Sequence, residues 1–176
     1  MVEYGRCQLY VDTEYIRKQL RDLKNDPWFG PVELHRPLNN HREDGRTFSV
    51  RRTIFYDALD PSSAEFKQRE DHLDRLTRLP NTTVRLGHVT RDDKGNRRQK
   101  GVDMQIGIDM IEVARSGFVE YIALAAGDGD FAPAVQHIQD MGLKVFVVAF
   151  PSSLSPELIS AADRIFELPE DPRPWP

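Results

Sequence analysis

At 176 residues, with 39% hydrophobic and 30% charged residues, the chain suits one domain with a full hydrophobic core. The single cysteine, Cys7, excludes an intrachain disulfide and fits a reducing, cytoplasmic setting. A net charge of −4 argues against a passive coat for nucleic acid, but not against an enzyme that acts on nucleic acid. Because the sequence shows no signal peptide and no apolar run of membrane-spanning length, we expect a cytoplasmic protein with no membrane partner.

The predicted secondary structure alternates between strand and helix. In the first half of the chain we predict a strand at 7–12, a helix at 14–25, an irregular loop or flap at 27–47, a strand at 50–57 and a helix at 64–79. In the second half we predict a strand at 82–90, a basic loop up to residue 100, a helix at 101–117, a strand at 121–128, a helix at 131–142, a strand at 143–150, a helix at 155–168 and a proline-rich tail at 169–176. This alternation predicts a single α/β domain over residues 1–176, a three-layer α/β/α sandwich whose central sheet has about five mainly parallel strands.

Four aspartates fall where such a sheet places its ligands, which is outside the carboxyl ends of the strands. Asp12 closes the first strand, Asp128 closes the fourth with Asp130 two residues later, and Asp103 begins a helix after the basic loop. These carboxylates would repel one another, and a bound cation removes that cost. Carboxylate-rich sites suit Mg²⁺ or Mn²⁺, so we predict a metal site formed by Asp12, Asp103, Asp128 and Asp130.

Simpler structural roles remain open for each of these acids. Asp103 and Asp130 both precede helices and could serve only as N-caps. Asp12 could be a turn residue, and the GDGD stretch that holds Asp128 could be a turn rich in Gly and Asp. The metal site is favoured by the coincidence of all four acids at one predicted edge of the sheet.

Basic and hydroxyl side chains near the predicted site offer contacts for phosphate groups. Lys100, with Arg97 and Arg98, would meet backbone phosphates, although a solvated loop is the alternative for this run. Ser152 and Ser153 lie between a strand and a helix. They could simply start that helix, or they could contact a phosphate through the amides at its first turn.

Four segments of the chain resemble the NYN domain family, and more narrowly its LabA/DUF88-type branch, which is related to PIN-domain nucleases. They are LYVDTEYI, KGVDMQIGIDMIEVA, YIALAAGDGDFAPAVQHIQDMGLKVFVVAF and PSSLSPELISAADRIFEL. These segments cover the N-terminal strand and most of residues 98–168, and they occur in the family's order. The resemblance implies a PIN-like fold and a Mg²⁺- or Mn²⁺-dependent endoribonuclease that hydrolyses the phosphodiester bonds of RNA.

The resemblance also implies roles for individual residues. The family's acids fall on Asp12, Asp103, Asp128 and Asp130; the first three would be catalytic metal ligands, and Asp130 a ligand or an orienting group. A further family acid matches Asp109. Six helical positions beyond Asp103 is a rotation of about 600°, so these two acids do not share a face of the helix.

Two positions depart from the family pattern. Tyr15 stands where an Asn commonly contacts the metal site or the substrate, and Ala126 replaces the Ser that commonly precedes Gly-Asp. Both departures favour an alternative in which the domain is a catalytically silent module that binds RNA or protein. Another alternative is a phosphohydrolase of the haloacid-dehalogenase type, which needs a D-x-D pattern where this chain has Glu14. The oligomeric state stays open, a homodimer included.

Overall fold

Strands and helices alternate along the chain in the computed structural model, which describes residues 4–24, 26–39, 41–91 and 97–171. The strands are β1 (Tyr4–Asp12), β2 (Arg42–Glu43), β3 (Arg46–Asp57), β4 (Thr82–Leu86), β5 (His88–Arg91), β6 (Arg97–Lys100), β7 (Tyr121–Ala125), β8 (Lys144–Ala149) and β9 (Arg164–Glu167). The helices are α1 (Thr13–Lys24), α2 (Pro31–His35), α3 (Phe66–Thr77), α4 (Val102–Ser116), α5 (Ala132–Asp140) and α6 (Pro156–Ala161). In the described part of the chain, no helix is both long and apolar enough to cross a bilayer.

One seven-stranded sheet forms the centre of the fold. Its order is β2-β3-β1-β7-β8-β9, with β4 also paired to β3, and every pairing is parallel except that of β2 with β3. The chain builds outward from β1 through β3 to β4, then returns to the other side of β1 and builds outward through β7, β8 and β9. The topological switch point therefore lies between β1 and β7, where α/β folds place their ligand sites.

Helices cover both faces of this sheet, which confirms the predicted α/β sandwich with a mainly parallel sheet. Side chains of β1 alternate between the two faces, so that Leu9 and Val11 enter one apolar cluster and Tyr10 enters the other. The first cluster includes residues of α1 and α3, namely Ile16, Leu20, Leu73 and Leu76. The second includes residues of α4, α5 and α6, namely Ile106, Met110, Ala114, Val135, Ile138 and Leu158.

The central sheet has seven strands, whereas about five were predicted. The two short strands that were not predicted are β2 and β9. Residues 155–168 were predicted as one helix, and that prediction is wrong beyond Ala161, since Arg164–Glu167 form β9. Ala162 has an extended backbone, and β9 then pairs in parallel with β8. Strand pairing with a neighbour distant in the chain has overridden a locally helical pattern.

The segment from residue 82 to residue 100 also differs from its prediction. The strand predicted at 82–90 is divided at Gly87, because β4 joins the main sheet while β5 pairs with β6. The predicted basic loop is instead partly a β-hairpin, since β5 and β6 form an antiparallel two-stranded sheet. Residues 92–96 of that predicted loop lie outside the described residues.

The predicted loop or flap at 27–47 contains regular structure and is anchored in the core. It holds α2 and β2, and its side chains Phe29, Leu34 and Leu38 are buried in the same apolar cluster as α1. The ring of Phe29 lies against Phe55 of β3, and His35 is hydrogen-bonded to Thr53 of the same strand. Of the predicted tail at 169–176, residues 172–176 lie outside the described residues.

Candidate active site

The four predicted acids lie at the carboxyl edge of the sheet, beside its switch point. Asp12 is the last residue of β1, and Asp128 follows three residues after the end of β7, the strand paired with β1. Asp103 lies in the first turn of α4. Asp130 lies in a short 3₁₀ turn, Gly129–Phe131, that leads into α5.

The charges of these carboxylates act on one another. The pKa of Asp103 is raised by burial, and further by the negative charges of Asp128 and Asp130. Burial also raises the pKa of Asp12 to about 7; a hydrogen bond from the amide of Tyr15 opposes this shift, and the charge of Asp103 adds to it. Asp103 is thus coupled electrostatically to Asp12 on one side and to the turn that carries Asp128 and Asp130 on the other.

Each of the two strand-end aspartates uses one oxygen to hold the local backbone. Asp12 Oδ1 accepts a hydrogen bond from the amide of Tyr15 at 3.1 Å, and Asp128 Oδ1 accepts one from the amide of Asp130 at 2.9 Å. Asp128 is therefore the N-cap of the 3₁₀ turn. Among the described residues, the second carboxylate oxygen of each residue has no hydrogen-bond partner.

The other two acids are not helix caps. The N-cap position of α4 is Gly101, and that of α5 is Phe131, so the capping interpretation fails for Asp103 and Asp130. Among the side chains that the structure describes, neither carboxylate has a hydrogen-bond or ion-pair partner. Both side chains are exposed at the edge and available to a ligand.

A hydrated cation fits this donor set better than a cation held in a closed cage. Within the described residues, no three His, Cys, Asp or Glu side chains lie together closely enough to enclose a metal ion. The donors are all carboxylate oxygens, which are the hard ligands that Mg²⁺ and Mn²⁺ prefer, and Mg²⁺ commonly keeps several waters while using one or two carboxylates. Their mutual repulsion would be relieved by a positive charge among them.

Close backbone approach at Gly127 shapes the turn that carries Asp128. A Cβ atom at this position would lie 2.4 Å from the carbonyl oxygen of Ser153 and 2.5 Å from the ring of Tyr15, so only glycine fits. The amide of Ser155 donates to the carbonyl of Gly127 at 3.0 Å, which joins this turn to the start of α6. The turn is thereby held against two neighbouring segments.

Tyr15 joins α1 to the segment that follows β8. Its hydroxyl is hydrogen-bonded to Ser153 Oγ at 2.9 Å and accepts from the amide of Phe150 at 3.1 Å, while its ring lies against the ring of Phe150. Ser152 and Ser153 belong to a 3₁₀ turn, and the residue that caps α6 is Ser155. The amide of Ser152 donates to Glu170 Oε1 at 2.6 Å. The predicted contacts of these residues with substrate thus stay predictions, on groups that already have partners within the protein.

The three predicted phosphate-binding residues Arg97, Arg98 and Lys100 lie on β6 rather than on a loop. Their side chains lie outside the described part of the structure, so their phosphate contacts stay a prediction. The strand runs directly into Gly101 and the first turn of α4, which carries Asp103.

A sequence model of the NYN domain matches residues 6–169, which is nearly the whole chain. The chain belongs to the NYN domain family. NYN domains are a PIN-like nuclease family. The predicted resemblance is confirmed at the level of the family.

Two individual proteins are similar to this NYN domain, one in sequence and one in structure. Over 87 residues it is 36% identical to y4oD of Sinorhizobium fredii, described as an uncharacterized protein, and the match covers 48% of this chain and 39% of y4oD. The chain thus spans well under two thirds of that relative's length. It is also similar to the crystal structure of VPA0982 from Vibrio parahaemolyticus, a protein of unknown function, with a TM-score of 0.66 and 22% identity over 94% of this chain and 93% of the other. At this identity the structural likeness shows the fold alone.

The acid that the resemblance placed at Asp109 is separated from the other four in this NYN domain. Asp109 Oδ2 accepts a hydrogen bond from the hydroxyl of Tyr56 at 2.6 Å and is paired with Arg85. The backbone carbonyl of Asp109 accepts from the hydroxyl of Tyr10 at 3.2 Å. Asp109 therefore ties α4 to the sheet, as expected from its different helical face.

A charged network that the sequence pattern did not predict lies behind Asp12. Asp57, at the carboxyl end of β3, is fully buried and accepts hydrogen bonds from Arg17 at 2.9 Å and from Arg69 at 2.6 Å. Burial alone would raise the pKa of Asp57, but the bonds and charges of Arg17 and Arg69 outweigh burial and lower it. Asp57 had a sequence signal, because it ends a strand as Asp12 does. The two arginines had none, since arginine on a helix is ordinarily exposed.

Glu14 belongs to the same network, which bears on the phosphohydrolase alternative. Its Oε2 accepts hydrogen bonds from both Arg17 and Arg69. In a phosphohydrolase of the haloacid-dehalogenase type, the residue at this position is an Asp that exchanges protons with the substrate. Here the side chain is held by two cations, which argues against that alternative, as does the family match.

Proposed function

We propose that the protein is a Mg²⁺- or Mn²⁺-dependent endoribonuclease that hydrolyses RNA phosphodiester bonds at Asp12, Asp103, Asp128 and Asp130. The observation that carries this proposal is the electrostatic cluster of these acids at the switch point of the sheet. Without a cation, such a cluster of carboxylates would repel a phosphodiester. Membership of a PIN-like nuclease family supports the same conclusion.

The proposed roles follow from the position of each acid. Asp12, Asp103 and Asp128 would hold the cation directly or through water, and Asp130 would bind or orient the same assembly. When bound, a hard cation polarises phosphoryl oxygens and makes a coordinated water more acidic. In the overall hydrolysis, a water oxygen bonds to phosphorus, the P–O ester bond breaks, and the leaving oxygen takes up a proton.

The neighbouring residues would position the RNA rather than react with it. Arg97, Arg98 and Lys100 would contact backbone phosphates, which are contacts that carry no base specificity. Tyr15, with Ser152 and Ser153 of the neighbouring 3₁₀ turn, would supply further substrate contacts. RNA as the substrate class rests on the family, because phosphate contacts alone do not distinguish RNA from DNA.

Cleavage assays with labelled RNA test the proposal. Single-stranded and structured RNAs would be incubated with Mg²⁺, with Mn²⁺ or with EDTA, comparing wild type with Asp128→Asn. The matched control is Asp140→Asn, an exposed aspartate at the other end of α5. We expect cleavage to require the cation and to fall at least about 100-fold in Asp128→Asn, with the control unchanged. Cleavage that persists in EDTA, or that ignores Asp128→Asn, would refute the mechanism.

The alternative is a catalytically silent module that binds RNA or protein, and Tyr15 and Ala126 favour it. The hydroxyl of Tyr15 is already engaged by Ser153 and by the amide of Phe150, and Ala126 is fully buried without a hydroxyl. A folded protein that binds RNA but cleaves none of the substrates would support this alternative. Release of phosphate from small phosphomonoesters, lost in Asp12→Asn, would instead support the phosphohydrolase.

A further inference from the structure

A buried ionic network joins α1, β3 and α3 beneath the acidic edge. Arg17 of α1 is 1% exposed, Arg69 of α3 is 3% exposed, and Asp57 of β3 is fully buried between them. Arg17 Nη1 donates to Asp57 Oδ2 at 2.9 Å, and Arg69 Nη2 donates to Asp57 Oδ1 at 2.6 Å and to the carbonyl of Ala58 at 3.0 Å. Three elements that are distant in the chain are thus joined through a single carboxylate.

Stability alone is a poor explanation for this network. Taking two guanidinium groups out of water is expensive, and well-packed apolar residues often replace a buried ion pair with no loss of stability. Arg69 Nε even lies buried without a hydrogen-bond partner in the described part of the chain. A network that carries such a cost is better explained by the geometry that it imposes on its neighbours.

The geometry that it imposes is that of the first turn of α1. Glu14 lies at one end of the network, where its Oε2 accepts hydrogen bonds from Arg17 and, at 3.2 Å, from Arg69. The next residue, Tyr15, is fixed on the other side by its hydrogen bonds after β8, and its amide is the donor to Asp12 Oδ1. The donor that orients Asp12 is therefore held from two sides, by α3 and by the segment after β8.

Charge balance fits a positioning role for the network. The two guanidinium groups of Arg17 and Arg69 are matched by the two carboxylates of Asp57 and Glu14, so the network is neutral. It therefore adds no net charge to the acidic cluster. Glu14 is half-exposed, but both cations hold the same oxygen, which makes it a tether between α1 and α3.

We propose that Arg17 is a positioning residue of the site: it holds Glu14, and through the first turn of α1 it orients the Asp12 carboxylate toward the cation. Glu14 acts as a tether and does not bind the cation. The inference rests on the proposed function, since it assumes that Asp12 is a ligand. Asp57 and Arg69 form the fixed base against which Arg17 is held.

Mn²⁺ binding, measured by electron paramagnetic resonance on folded protein, tests this inference without requiring cleavage. We expect Arg17→Met to weaken Mn²⁺ binding at least about 10-fold, as the loss of a group that orients a ligand does. Arg17→Lys keeps the positive charge but not the planar guanidinium group with its several donors, and we expect Mn²⁺ affinity to fall about 3-fold or more. Glu14→Gln keeps an oxygen that both guanidinium groups can reach but loses the charge, so we expect it to lose less Mn²⁺ affinity than Arg17→Met.

The matched control is Arg21→Met, one turn further along α1. Arg21 forms an exposed ion pair with Glu65 at 2.7 Å and lies outside the network, so its loss should leave Mn²⁺ affinity unchanged. Urea denaturation of every variant would identify those that are folded. If Arg17→Met does not fold, Arg17→Lys decides, since wild-type affinity in that variant would overturn the inference.

Two further results would overturn the inference, and each differs from failure of the proposed function. A folded Arg17→Met that binds Mn²⁺ like wild type would make the network purely structural. A loss in Glu14→Gln as large as that in Asp12→Asn would make Glu14 a ligand. By contrast, Mn²⁺ binding that depends on Asp12 and Arg17 without any RNA cleavage would refute the nuclease proposal and leave this inference standing.

Discussion

Replacing Asp12 by Asn should stabilise the cation-free protein at alkaline pH. In the folded protein burial is the main cause that raises the pKa of Asp12 to about 7, from an ordinary value of 3.8. The unfolded chain therefore loses this proton near pH 3.8, whereas the folded protein keeps it until the pH is near 7. Stability is lost as the pH rises through this range, and the full cost is present above pH 7.

The size of the effect follows from the two pKa values. A difference of about 3 pKa units corresponds to roughly 4 kcal/mol of unfolding free energy, which is an upper limit because the side chain retains some contact with water. Asn is neutral and keeps an oxygen that can accept from the amide of Tyr15. At pH 8 we therefore expect Asp12→Asn to be more stable than wild type by about 1 to 4 kcal/mol.

Urea denaturation in EDTA at pH 4 and at pH 8 measures this difference. The gain should be close to zero at pH 4 and large at pH 8, and saturating Mn²⁺ should stabilise wild type but not Asp12→Asn. The control is Asp22→Asn, an exposed position on α1, which should change stability by less than about 0.5 kcal/mol at either pH. An Asp12→Asn protein that is no more stable than wild type at pH 8 would refute the reasoning.

Three further predictions concern stability and can be measured by the same urea denaturation. Gly127→Ala should cost about 2 kcal/mol or more, because its Cβ would collide with the carbonyl of Ser153. Gly107→Ala in α4 should instead gain about 0.5 to 1 kcal/mol, because its Cβ would make an ordinary contact of 3.7 Å with Ala134 of α5. Equal effects at the two glycines would contradict the close approach. Burial is the main cause that lowers the pKa of His72 to about 4, so wild type should lose up to about 3 kcal/mol as the pH falls from 6.5 to 4. A phenylalanine at position 72 should remove that part of the acid sensitivity, and an unchanged slope would show that His72 is not its source. Tyr15→Phe should cost about 1 to 2 kcal/mol through its two lost hydrogen bonds, and a neutral effect would show that they contribute nothing.

Local sequence was sufficient for most of the architecture and for the place of the four acids. Alternating apolar runs and amphipathic segments predicted a parallel sheet between helices, because burial on both faces leaves a pattern that needs no knowledge of the neighbours. Asp12 ends one such run and Asp128 comes three residues after another, and parallel strands bring their carboxyl ends to one edge. The order of the strands, which puts the switch point beside these two residues, became evident only from the pairing.

Structural features that depend on partners distant in the chain were not predictable from the sequence. Arg164–Glu167 became a strand because β8 offered it an unpaired edge, although the local pattern favoured a helix. Arg17 and Arg69 look like ordinary surface residues of two amphipathic helices. They are buried because Asp57, at the end of a third element, lies between them. The sequence by itself thus determined which acids gather at the edge of the sheet, and only the tertiary structure decided which charges lie beneath them, because a buried charge requires a partner that folding brings from elsewhere.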